Sequence, residues 1–170
     1  MRHRPFTGMV IILMLLTGCG VTTPPAPTPL PALTKSIEDI LANTAPPNGI
    51  VLGRLKTADI SLGIDNVGDI YEAEQLWTGT NIVGGSKLLM YETTQAAQVQ
   101  FTQLEGALTI TAHIPELGEN AVITDSTLSI NIFFIRCRVI GNVWATSLDT
   151  KTLVDYSRDL DTAIRQSFCP

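Results

Sequence analysis

The chain is poor in the residues from which most metal and acid–base sites are built. It has two histidines and three cysteines in 170 residues. Neither His3 nor His113 falls in an H-E-x-x-H pattern or beside paired cysteines, so no zinc ligand set is written in the sequence and no cofactor is implied. There is no G-x-S-x-G elbow, and Ser147 with Lys151 has one residue too many for the S-x-x-K of penicillin-recognising enzymes. Basic charge is scarce as well. Eleven Lys and Arg stand against sixteen Asp and Glu, a net charge of -5, which opposes binding to nucleic acid. The apolar run over residues 9–16 reaches only about 12 Å as a helix, against a hydrocarbon core of about 30 Å, too short for a permanent span. No internal repeat is present. The hydrophobic fraction of 45% excludes disorder for the body of the chain.

What is present begins with an export signal over residues 1–18: a basic start at Arg2 and Arg4, the apolar run, and small residues before a cleavage point. Leu16-Thr17-Gly18-Cys19 resembles the lipobox of bacterial lipoproteins. That resemblance implies that Cys19 carries a diacylglyceryl thioether and becomes the first mature residue, anchoring the protein on the extracytoplasmic side of a membrane. Each buried methylene contributes about 0.8 kcal/mol, so two or three acyl chains hold where one does not. An ordinary secretory signal with a chance cysteine is the alternative. Loss of Arg2 and Arg4 leaves nine basic against sixteen acidic residues, a net charge of -7. Residues 19–33 carry five of the ten prolines and favour an extended polyproline tether of up to about 40 Å. Residues 34–170 are expected to form one domain.

Within that domain, Ile37, Ile40 and Leu41 share a helical face over 34–43, with Ser36 and Asp39 placed to cap it. Pro46-Pro47-Asn48-Gly49 ends the helix, and 50–68 reads as one or two short strands in a largely irregular stretch. Residues 69–78 alternate, with Tyr71, Ala73 and Trp77 opposite Glu72, Glu74 and Thr78. A turn at Gly79-Thr80-Asn81 leads to a strand over 82–91 softened by Gly84-Gly85. Thr93 or Thr94 caps a helix to Glu105 with stripe Ala97, Phe101 and Leu104, stopped by Gly106. The cleanest alternation covers 107–114: Leu108, Ile110, Ala112 and Ile114 one way, Thr109, Thr111 and His113 the other. Strands over 121–124 and 128–140 follow. A two-residue turn at Gly141-Asn142 is expected to set Val139 against Trp144, Cys137 against Thr146 and Ile135 against Leu148. That pairing conflicts with the parity of Leu128, Ile130, Ile132 and Phe134, which calls for a bulge near Phe133-Phe134 or a covering layer on the second face. A last helix from about residue 150 to 168 carries Leu153, Ser157, Leu160, Ile164 and Phe168 on one stripe. The expected fold is α+β: an antiparallel sheet of five to six strands with two main helices on one face.

Cys137 and Cys169 are the thiols left after lipidation. An oxidising compartment favours a bridge, and a helix returning antiparallel to the last strand brings Cys169 toward Cys137. The alternative is a buried Cys137 and a frayed tail. Gly79 to Lys87 is no phosphate loop, because Gly85 and Ser86 stand between the motif's second glycine, Gly84, and Lys87, which would have to follow it directly, and a strand, not a helix, follows. Asp65, Asn66 and Asp69 lack the oxygen spacing of a calcium loop, and Glu72 with Glu74 form a carboxylate pair with no cleft around them. Thr109, Thr111 and His113 on one strand, with Arg136 and Arg138 on another, form a basic-polar binding face for a small anionic group if the strands are neighbours.

Leu117-Gly118-Glu119-Asn120-Ala121 and the strand-turn-strand-helix of residues 134–168, with Gly141-Asn142-Val143 as its turn, resemble small actinobacterial-type extracytoplasmic domains, including the sensor domains of receptor serine/threonine kinases. Glu119 and Asn120 depart from that family's Asp. The resemblance implies noncatalytic binding, sensing or assembly, with the membrane and an envelope protein or small ligand as partners. A cell-envelope hydrolase with an unrecognised active site is the second reading.

Overall fold

The first helix, α1 (Ile37–Asn43), starts on a reciprocal cap. Ser36 Oγ accepts the Asp39 N–H while Asp39 Oδ2 accepts the Ser36 N–H at 3.2 Å, an arrangement worth about 1 kcal/mol. The structure, a computed structural model, describes residues 36–61 and 69–169. The leader, Leu16-Thr17-Gly18-Cys19, the proline tether and Asp65 and Asn66 lie outside the described residues. Ile37, Ile40 and Leu41 are buried as their spacing predicts.

The chain continues through β1 (Val51–Ser61), β2 (Asp69–Gly79), β3 (Ile82–Tyr91), α2 (Thr94–Ala107), β4 (Ala112–His113), β5 (Asn120–Asp125), β6 (Ile130–Arg136), β7 (Val139–Ala145) and α3 (Thr150–Phe168). The strands form one antiparallel sheet in the order β1-β2-β3-β7-β6-β5-β4. It is an α+β fold with seven strands rather than five or six. α1 and α3 cover one face, over a cluster that includes Trp77, Leu88, Phe134, Val139 and Leu160. α2 covers part of the other, over Tyr91, Phe101, Val122, Ile135 and Ile140. The helices therefore do not share a face. Consecutive residues Val139 and Ile140 are both buried, one under each layer.

Three local readings are corrected. The stretch after residue 50 is one eleven-residue strand, not short pieces. Its alternation fails because the register shifts between Leu52 and Leu55, where the Gln75 amide donates to the Gly53 carbonyl. As the edge of the sheet it also has little to bury. Over 107–114 only Ala112 and His113 form a strand. Ala107 completes α2, whose last turn runs past Gly106 and closes with the Leu108 N–H on Leu104 and Glu105. The Thr111 N–H and the residue after it both address Ile123. This extra residue flips the parity, so Leu108 and Ile110 join the α2 cluster while Ile114 joins the other.

The third correction concerns the last hairpin. It turns at Cys137-Arg138, with Arg136 opposite Val139, and Gly141 and Asn142 lie inside β7. Cys137 adopts φ +52°. The expected pairs Val139–Trp144, Cys137–Thr146 and Ile135–Leu148 do not form; Trp144 faces Asn131 instead. Gly141 is there because the Phe134 ring crosses it: a Cβ would fall 2.3 Å from Phe134 Cζ. With the turn moved, Ile132, Phe134 and Arg136 share one face and Phe133 and Ile135 the other. The parity conflict is resolved by the second covering layer, not by a bulge.

Candidate functional site

The predicted basic-polar face is not assembled. Arg136, on the α3 side of the sheet, donates through Nε and Nη2 to Asp161 at 2.7 and 2.8 Å. The Asp161 bonds, with its charge and that of Glu119 adding, raise the guanidinium pKa against the opposing effect of burial. Asp161 also accepts the Gly118 N–H at 3.2 Å, and Glu119 Oε1 accepts the Cys137 N–H at 2.8 Å. Arg138 sits in the turn with its guanidinium 5.9 Å from the Phe168 ring centroid, a cation–π contact. Cys137 and Cys169 are joined. Arg136 and Arg138 are thus spent on latching the end of α3 to the β6–β7 turn. Of the others, Thr109 is exposed before the bulge. Thr111 donates both its N–H and its hydroxyl to the Ile123 carbonyl. His113 is exposed opposite Val122, on the α2 side, across the sheet from Arg136.

A different surface stands out on the α2 side. α2 covers only one end of it, and the register lines up what remains. Across β5, β6, β7, β3 and β2 runs Thr124–Asn131–Trp144–Gly85–Leu76, and beside it Val122–Phe133–Asn142–Lys87–Glu74, continuing to Lys56 on β1. Trp144 is half-buried but belongs to neither apolar cluster. Its indole lies across Gly85, where a Cβ would meet Nε1 at 3.1 Å and Cε2 at 3.3 Å. Glycine inside a strand marks such a close approach; this, not softness, is the role of Gly85.

Around the indole the polar groups are amides and paired ions. Asn142 Nδ2 donates to the Ile132 carbonyl and Asn131 Nδ2 to Ser129 Oγ, each at 3.3 Å. Both side-chain oxygens remain as acceptors among the described residues. Lys87 is held by Glu72 at 3.1 Å. A slot of about 140 Å3 opens between Leu104 of α2 and the sheet, floored by Leu89, Phe133 and Ile140. Toward the opposite end Val51 and Val83 flank Thr78, 67% and 55% exposed. A second cleft, of about 340 Å3, lies where Phe101 meets Ile135 and is bridged at its rim by the Asn120–Glu105 hydrogen bond of 2.8 Å.

Sequence reasoning missed Trp144, Asn131 and Asn142 because the expected turn set Trp144 opposite Val139, a core residue, and used Asn142 as a turn residue. Gly84-Gly85 was the available signal. Among the described residues no three of His, Cys, Asp and Glu converge as a metal-binding group, and no helix is long and apolar enough to cross a membrane.

No protein-family model matches the chain, and no curated protein matches it. Among solved structures it is similar to the extracellular domain of PknH from Mycobacterium tuberculosis, at 10% identity with a TM-score of 0.41, over 76% of this chain and 90% of that one. That is an extracellular domain, the coarse class to which residues 117–121 and 134–168 bear a resemblance.

Proposed function

We propose that this protein is a lipid-anchored, extracytoplasmic binding module that works without catalysis and presents the open sheet face around Trp144. The observation that carries the reading is the indole itself: a large amphipathic ring outside both apolar clusters, fixed over Gly85 and edged by amides. The lipobox and tether supply the anchoring half.

The groups with displaced titration do not gather as an active site would gather them. Among the described residues Tyr156 and Tyr71 lie in or against one apolar cluster, Tyr91 in the other, Arg136 in the latch, and Asp149, Lys151 and Asp155 on the exposed start of α3.

Two measurements test the proposal. Cells fed an alkyne fatty acid incorporate the label into the wild-type chain and not into Cys19→Ser. A photo-crosslinking residue at position 124, on the Trp144 row with the indole left in place, captures one envelope component that a crosslinker at 165 does not. Equal capture from both positions refutes the face, and labelling of Cys19→Ser refutes the anchor.

A further inference from the structure

Resting on the binding reading above, we propose that the Trp144 face takes a neutral saccharide. The indole offers a flat, electron-rich surface with one side closed by Gly85. Indole faces attract the polarised C–H bonds of a sugar ring for the same reason that they attract cations, the negative face of the ring quadrupole. A pyranose with equatorial substituents presents such a C–H face and directs its hydroxyls outward at the rim. Asn131 is the direct cross-strand neighbour of Trp144, and Asn142 lies two residues before it on the same face. Side-chain amides both donate to and accept from hydroxyls.

The charges of this face select against ions. Lys56 and Lys87 are matched by Glu72 and Glu74 on neighbouring strands, and Lys87 is already bonded to Glu72. A cationic ligand meets Lys87 and an anionic one meets Glu74, whereas a polyhydroxylated neutral ring leaves no charge unpaired. A protein partner would need a wide, largely apolar centre, about 800 Å2 on each side. The apolar side chains of this face are dispersed, with Val51 and Val83 flanking Thr78 at one end and the Leu89–Phe133–Ile140 slot at the other, and the immediate frame of the indole is amides and paired ions.

The chain has two tryptophans, one core and one on the open face, which makes the test direct. The full-length chain in detergent micelles, labelled with 5-fluorotryptophan, gives two 19F resonances that Trp144→Phe assigns. Titration with the β-1,4-linked tetramer of N-acetylglucosamine is expected to shift the Trp144 signal saturably and leave Trp77 unmoved. Asn131→Ala or Asn142→Ala weakens that binding, and Trp144→Ala abolishes it or weakens it about tenfold or more. Trp144→Phe, which keeps a ring, retains part of the affinity and guards against a folding artefact. A Trp144 resonance that does not move with the neutral tetramer overturns the proposal, as does a shift untouched by both asparagine substitutions. If the resonance is silent while crosslinks from position 124 persist, the saccharide falls and the binding face stands. Loss of the crosslinks removes the face itself.

Discussion

The ring of Phe134 lies across the backbone of Gly141, so close that a Cβ there would sit 2.3 Å from Phe134 Cζ. The contact holds β6 and β7 in register beneath α3. Gly141→Ala is therefore expected to destabilise the domain by about 1–3 kcal/mol, the usual cost of overpacking a core. Gly106→Ala, on an open helix surface with nothing within 4 Å of a Cβ, is expected to stabilise by up to about 1 kcal/mol. Urea unfolding of the two variants checks both signs.

The latch at the β6–β7 turn rests on Arg136 and Asp161, whose side chains are 19% and 10% exposed. Arg136→Met leaves the Asp161 carboxylate nearly enclosed without its partner. The expected loss is several kcal/mol, toward the roughly 3–5 of a fully buried pair. Removing both charges together costs less than removing Arg136 alone. Chemical denaturation of the single and double variants measures the difference.

Cys137 and Cys169 close a loop with a sequence separation of 32, worth about 3–4 kcal/mol on the chain-entropy model. Non-reducing peptide mapping is expected to recover the two cysteines joined. Reduction should lower the unfolding midpoint and free the end of α3, seen as faster hydrogen exchange over its last turn. An unchanged midpoint would contradict the assignment.

Burial pushes the Tyr156 hydroxyl up to about 12 from its ordinary 10, with the Ser86 hydroxyl at 3.3 Å opposing the rise. Its neutral form is thus favoured in the folded state. The associated stability is fully present below pH 10 and is lost as pH climbs toward 12, by about 2–3 kcal/mol. Tyr156→Phe should give a shallower decline over that window. At neutral pH it should cost about 1 kcal/mol for the lost hydrogen bond.

Local signals were legible in the sequence and long-range ones were not. The Ser36–Asp39 cap, the 80–81 turn, the α3 stripe and the cysteine pair each rest on neighbouring residues or on a helix returning along a strand. Gly141-Asn142 reads as a turn because glycine followed by asparagine is turn chemistry, yet Gly141 answers to Phe134 across the ladder. The β1 bulge and the extra residue at Thr111 broke periodicity in the same way. The Trp144 face was illegible because Trp144, Gly85 and Asn131 meet only once three strands are in register, and moving one turn changes which side of the sheet each occupies.

Hydroxyl-radical footprinting of Trp144 tests the binding face most directly, comparing the chain in intact envelopes with the same full-length chain purified in detergent. The account predicts that oxidation of Trp144 is several-fold slower in the envelope, while Trp77, buried against Tyr156, is protected in both. Equal oxidation of Trp144 in the two preparations would contradict it.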